Sequence, residues 1–151
     1  MLVRAAAEGD AEGAAAIIAA ALAEYGLPFD PDGRDADVAT FGSKPEHDDF
    51  VAEDPTTGRA LGVVSVGPQG DAGVAWISKV FVSKQARRRG VGGALLEAAH
   101  SAARRRGFRE VRLRTRVIFR EAIALYESAG YVRRSDPAAI APGDIVYYRL
   151  L

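Results

Sequence analysis

The chain has 151 residues, nearly half of them hydrophobic, so it is long enough for one domain with a sizeable core and too apolar for global disorder. Its 20 basic residues are balanced by 20 acidic ones, which argues against a nucleic-acid partner, because dedicated binders carry a large basic excess. The absence of cysteine excludes a disulfide framework, a thiol nucleophile and a thiolate metal site.

The longest early apolar run, Ala14 to Ala23, falls short of the roughly 20 residues that cross a bilayer. Glu8, Asp10 and Glu12 precede it, where a secretion signal carries positive charge. A cytoplasmic protein with no membrane partner is expected. In chain order, Leu2 to Ala5 reads as a first strand. Asp10 is placed to cap a helix running to Tyr25, with Ile17, Ile18 and Leu22 on its apolar side and Gly26 as its stop. Residues 27–47, rich in Pro, Gly and Asp, read as a loop holding one short helix from Arg34 to Phe41. Strands are expected over Asp49 to Asp54, Ala60 to Val66 and Gly73 to Val82, separated by the turns Pro55-Thr56-Thr57-Gly58 and Gly67-Pro68-Gln69-Gly70. Two short-turned hairpins in a row imply an antiparallel meander.

The period then changes. From Gly90 to Arg106, Val91, Leu95, Leu96, Ala99, Ala102 and Ala103 recur at helical spacing, and Gly107 ends the run. Glu110 to Val117 reads as a strand, Arg120 to Ser128 as a helix stopped by Gly130, and Tyr131 to Arg134 and Ile145 to Leu150 as two more strands. No linker divides the chain, so residues 1–151 are expected to form a single α/β domain.

The turn between the strand ending near Val82 and the helix starting near Gly90 is the most informative stretch. Arg87, Arg88 and Arg89 precede Gly90, Gly92 and Gly93 at a helix N-terminus. That end carries unpaired N–H groups and a partial positive charge, so three cations are misplaced there unless an anion sits with them. Glycines let backbone amides approach that anion, and a di- or polyphosphate fits. The Walker pattern is absent, and Leu95 falls near where a dinucleotide fingerprint needs its third glycine.

The pattern Arg87-x-x-Gly90-x-Gly92 resembles the [Q/R]-x-x-G-x-[G/A] signature of the GNAT N-acetyltransferase superfamily. Ala124-Leu-Tyr-Glu-Ser-Ala-Gly-Tyr131 resembles the second signature, L-Y-x-x-x-G-[FY], and the order of elements is similar over nearly the whole chain. The resemblance implies a mixed, mostly antiparallel sheet of six to seven strands flanked by helices, with the fourth and fifth strands splayed. It implies transfer of an acetyl group from acetyl-CoA to a primary amine on a small molecule or peptide. The acyl donor would lie along Val80, Phe81 and Val82, with its pyrophosphate on Arg87, Arg88, Arg89, Gly90, Val91, Gly92, Gly93 and Ala94. Tyr126 matches the tyrosine that protonates the departing thiolate in many members; a core tyrosine packed with Ile123 and Leu125 is the competing reading. Homodimers are common in the family, so a dimer is an expectation of the same kind. Phe119 stands where members often carry Asn, which puts the start of the following helix in question.

The general base is not legible. The fourth strand carries no carboxylate over Val74-Ala-Trp-Ile-Ser78, and Glu24, Asp30, Asp71 or a water chain compete for the role. Tyr25, Phe29, Phe41 and Trp76 either line the acceptor pocket or belong to the core; of these, Tyr25, Phe29 and Trp76 are the expected acceptor contacts. Glu46-His47-Asp48-Asp49 contains metal-ligand types, but consecutive spacing sends alternate residues to opposite faces, so no metal site is expected. His100 reads as a partly buried structural histidine. A non-catalytic acyl-CoA sensor is the alternative function; it differs from the enzyme in turnover, since both bind the donor.

Overall fold

The structure is a computed structural model and describes residues 1–139 and 141–151. Seven strands form one sheet: β1 (Leu2–Ala5), β2 (Asp48–Glu53), β3 (Ala60–Pro68), β4 (Val74–Val82), β5 (Glu110–Arg116), β6 (Val132–Arg134) and β7 (Asp144–Leu150). Their order is β1-β2-β3-β4-β5-β7-β6, and β4–β5 is the parallel neighbour pair. The expected meander is present, since β2, β3 and β4 pair antiparallel in sequence. β3 runs on through Pro68, which pairs with Ala75 instead of belonging to the turn. A proline is tolerated there because the β2–β3 pairing ends at Asp48↔Val66, so Pro68 has an edge position on that side.

Three helices cover the sheet: α1 (Ala11–Ala23), α2 (Val91–Arg105) and α3 (Arg120–Ser128). α1 buries Ala14, Ile17, Ile18, Ala21 and Leu22, the spacing of a single helical stripe, against Val51 and Val63. α2 and α3 lie on the other face, where Leu95, Leu96 and Tyr126 share a cluster with Val64, Ile77 and Leu113. Each large apolar side chain buried there is worth about 1.5–3 kcal/mol.

Asp10 does not cap α1 through its side chain. Its carboxylate accepts the Ala7 N–H at 2.8 Å and is held by Arg4 at 2.8 and 2.9 Å, closing a one-turn 3₁₀ segment, Glu8–Asp10, ahead of the helix. The short helix expected over 34–41 is also a 3₁₀ turn, Ala36–Thr40, with Val38 buried beneath α1. His100 is fully rather than partly buried and shares a 2.6 Å hydrogen bond with the Tyr131 hydroxyl.

One irregularity shapes the site. The β3–β4 register steps from Ser65↔Ser78 to Val63↔Phe81, so Lys79 and Val80 together oppose Val64. Lys79 carries the bulge with φ +56°, a left-handed backbone that costs a non-glycine residue about 1–2 kcal/mol. The parallel β4–β5 pairing runs from Val74↔Glu110 to Ile77↔Leu113 and stops just before the bulge. Beyond it, the C-terminal halves of β4 and β5 diverge.

Candidate active site

The divergence opens a cleft of about 930 Å³, walled by Val80 and Val82 from β4, Leu113 and Thr115 from β5, and Tyr126 from α3. The start of α2 closes one end. Gly90 is the N-cap in left-handed geometry (φ +77°) and supplies no capping side chain. The first intrahelical bond there runs from the Ala94 N–H to the Gly90 carbonyl, at 3.1 Å. The N–H groups of Val91, Gly92 and Gly93 are therefore left for an outside acceptor at the positive end of a 15-residue helix. Val91, Gly92 and Gly93 line the cleft, and a Cβ on Gly93 would meet nothing within 4 Å. The arrangement suits an anion with several oxygens.

The three arginines of the turn part ways. Arg88, at φ +64°, lines the cleft and has no ion-pair or hydrogen-bond partner among the described residues. Arg87 also lines it, but its guanidinium meets both carboxylate oxygens of Glu24 at 2.6 Å and donates from Nε to the Val82 carbonyl at 3.2 Å. The pairing holds Glu24 below the usual carboxylate range and raises Arg87. Arg89 turns away; it donates to the Gln85 carbonyl at 2.9 Å and faces a small hollow beside Met1 and Asp54. Two left-handed residues, Arg88 and Gly90, flank Arg89 and swing it out of the cleft. Ala94 also lies outside it, because its N–H already serves the helix.

Tyr126 is buried, with its ring 6.0 Å from that of Tyr131 and 6.3 Å from that of Tyr147. It lines the cleft, and its hydroxyl has no hydrogen-bond partner among the described residues. Burial pushes the phenol's pKa well up, so the group stays protonated and acts as a donor. Ile123 and Leu125 pack at the edge of the same cluster, so Tyr126 is at once a core residue and a wall of the cleft.

Two residues expected as acceptor contacts, Trp76 and Phe29, do not line the cleft. Trp76 is buried against Val74 and Val146 and donates from Nε1 to Asp71 at 3.1 Å. The bulge at Lys79 is the cause: it shifts the alternation, so Val80 and Val82 pack on the α2 side while Trp76 points to the opposite face. Phe29 packs half-buried into the cluster under α1. Tyr25 does line the cleft, where its ring meets that of Phe119 edge-on at 4.9 Å. Phe119 is the N-cap of α3 and gives it no side-chain cap; its ring serves as part of the cleft wall instead.

None of the acids weighed as a base lines the cleft. Glu24 is clasped by Arg87, Asp30 accepts the Arg34 N–H, and Asp71 holds Trp76. The structure brings Asp35, Asp144 and Glu121 to the cleft instead, together with Lys79, Arg114 and Arg116. Asp35 and Asp144 sit in irregular chain or at a strand start, where no periodicity marks a facing direction.

A model of the acetyltransferase (GNAT) family matches residues 15–131. Among solved structures, a GCN5-related N-acetyltransferase from Kribbella flavida is 27% identical, with a TM-score of 0.78 over 99% of this chain and 97% of that one. A GNAT-family acetyltransferase from Staphylococcus aureus reaches a TM-score of 0.84 at 18% identity, covering 99% and 98% of the two chains. A ribosomal-protein-alanine N-acetyltransferase from Brucella melitensis reaches 0.76 at 23% identity with all of both chains covered. The last two are likenesses of fold alone. No curated protein sequence matches. The family match over most of the chain, on a seven-stranded sheet splayed at β4 and β5, shows that this protein belongs to the GNAT acetyltransferase family.

Proposed function

We propose that the protein transfers an acetyl group from acetyl-CoA to a primary amine by direct attack within a ternary complex. The observation that carries this reading is the uncapped start of α2 opening into the same cleft as the Tyr126 hydroxyl. The N–H groups of Val91, Gly92 and Gly93, with Arg88 beside them, would receive the pyrophosphate. Val80 and Val82, past the last β4–β5 pair, would flank the pantetheine arm. Part of the Val82 carbonyl's capacity is already used by Arg87.

The thioester supplies an acyl carbon open to attack. The amine nitrogen forms the C–N bond, the C–S bond breaks, the nitrogen loses one proton, and the sulfur gains one. Tyr126 is placed to give that proton or to hydrogen-bond the thiolate. A phenol is a weaker acid than a thiol, so transfer runs uphill by about 2 kcal/mol even before burial is counted. Donation of a hydrogen bond to developing negative charge in a buried site is the larger benefit. Release of free thiol from acetyl-CoA across a panel of amines tests the reading. Amine-dependent release supports it; acetyl-CoA binding with no release for any amine would make the protein a sensor.

A further inference from the structure

The cleft passes through the splay to the sheet face opposite α2, where its lining is charged. On β5, Arg112, Arg114 and Arg116 share that face by strand alternation, while Leu113 packs towards α2. Arg112 is spent: it pairs with Glu110, lies 3.8 Å from Asp136 and sits over the Tyr148 ring. Arg114 donates to the Ala138 carbonyl at 3.1 Å and lies 5.8 Å above the Trp76 ring. Lys79 is answered by Asp37 at 2.6 Å. Arg116 is half-buried, lines the cleft and has no ion-pair or hydrogen-bond partner among the described residues. Asp144 faces it in register across β7, but that carboxylate accepts the Ala141 N–H at 3.0 Å and makes no ion pair with Arg116.

A half-buried guanidinium held by a strand on the cleft wall, with no ion pair or hydrogen bond among the described residues, can receive a planar oxyanion. We propose that the acceptor is an amine that also bears a carboxylate, as an amino acid does, and that Arg116 receives this carboxylate with Arg114 beside it. This rests on the acetyl-transfer reading for the word acceptor, but the carboxylate site itself does not. Asp144, opposite Arg116 on the cleft wall, complements the amine's positive charge before it is deprotonated, whereas Asp35 accepts the Asp30 N–H at 2.8 Å and lies 3.9 Å from Arg34, also on that wall. An acceptor with both charges meets both signs; a plain polyamine would meet Arg116 uncompensated.

The test compares amino acids with the amines left when the carboxyl is removed: leucine with isoamylamine, methionine with 3-(methylthio)propylamine, and so on through the common set. Trp76 is the only tryptophan and lies under Arg114, so its fluorescence reads binding without turnover. Titrations are made on the full chain with CoA present and with CoA absent, and thiol release is followed in parallel with acetyl-CoA. The best amino acid should bind at least about tenfold more tightly than its decarboxylated partner, the usual worth of a charge-assisted bond. Arg116→Gln should abolish that preference, Arg116→Lys should keep part of it, and neither should change CoA affinity. The phosphonate analogue of the best amino acid distinguishes a carboxylate receptor from a general oxyanion receptor; tighter binding of the phosphonate would overturn the carboxylate assignment. Amines binding as well as amino acids, or a preference that survives Arg116→Gln, would overturn the proposal. Failure to bind CoA, with the amino-acid preference intact, would sink the transferase reading and leave this one standing.

Discussion

Glu24 at the end of α1 and Arg87 in the turn before α2 hold each other by two 2.6 Å contacts across the mouth of the cleft. Both side chains are about a quarter exposed, at 28% and 25%, so the pair is partly shielded from solvent. Arg87 occupies the first position of the phosphate-binding signature, yet its charge is already answered. On the proposed reading, Glu24 would compete with the pyrophosphate for the same guanidinium.

Glu24→Gln should therefore tighten acyl-CoA binding by about two- to fivefold, the range of a partly exposed ion pair, while costing less than about 1 kcal/mol of stability. Calorimetric titration of CoA into both proteins measures it. Weaker binding in the variant would mean that Glu24 positions Arg87 for the ligand instead of competing with it.

Tyr126→Phe should lower kcat by about ten- to a few hundredfold and leave the Kd for CoA unchanged. Steady-state kinetics with a productive amine, beside a CoA titration, separates the two. A loss below about twofold would remove the hydroxyl from the mechanism and leave Tyr126 as packing.

The two glycines of the α2 start differ in what surrounds them. A Cβ on Gly92 would lie 2.8 Å from Leu125 Cδ2, whereas one on Gly93 meets open space. Gly92→Ala must displace the half-buried Leu125 side chain, which offsets its helix-propensity gain, so it should leave the fold less stable than Gly93→Ala by up to about 1 kcal/mol. Gly93→Ala should be neutral or stabilising by up to about 1 kcal/mol through helix propensity. Denaturant midpoints of both variants check the contrast, and equal shifts would mean that α3 yields freely at Leu125.

His100 gives the fold an acid sensitivity. It is fully buried against Tyr131, with Arg149 and Glu97 near Nδ1 and Arg104 further off. Burial lowers its pKa, and Arg149 lowers it further. A histidine depressed in the folded state is protonated first in the unfolded chain, near pH 6.5, so stability falls as pH drops below about that value. His47, also lowered by burial, adds to the same window. Asp10 and Glu24 are shifted down and contribute stability that is lost only below about pH 4, as pH falls through their folded values. Unfolding free energy should therefore decline between about pH 7 and pH 5, and less steeply in His100→Gln. An unchanged slope in that variant would place the sensitivity elsewhere.

Much of this site was legible because its chemistry is local. Gly90 to Gly93 and the arginines before them lie in one short run, and the mismatch between cations and a helix N-terminus can be seen without coordinates. The helix carrying Tyr126 was equally plain from its glycine stop and the signature run from Ala124 to Tyr131. What could not be read was direction. Counting by twos along β4 places Trp76 on the side of Val80 and Val82, and only the bulge at Lys79 sends it to the other face. Nothing in a lysine between Ser78 and Val80 announces a left-handed residue. Arg89 follows the same logic, since its facing depends on two unusual dihedrals beside it. Arg116 and Asp144 were missed because their meeting depends on which strand ends lie together, and Asp35 because it lies in irregular chain, relations of topology and not of spacing.

The most direct test is calorimetric titration of acetyl-CoA into the wild type, Gly93→Glu and Gly93→Lys. Both substitutions add similar bulk into the same open space and differ in charge. The wild type should bind in the micromolar range, and the Glu variant at least about tenfold more weakly than the Lys variant, since the helix start is built for an anion. A folded wild type that does not bind, or Glu and Lys variants that bind alike, would contradict the assignment of this cleft to the acyl-CoA pyrophosphate.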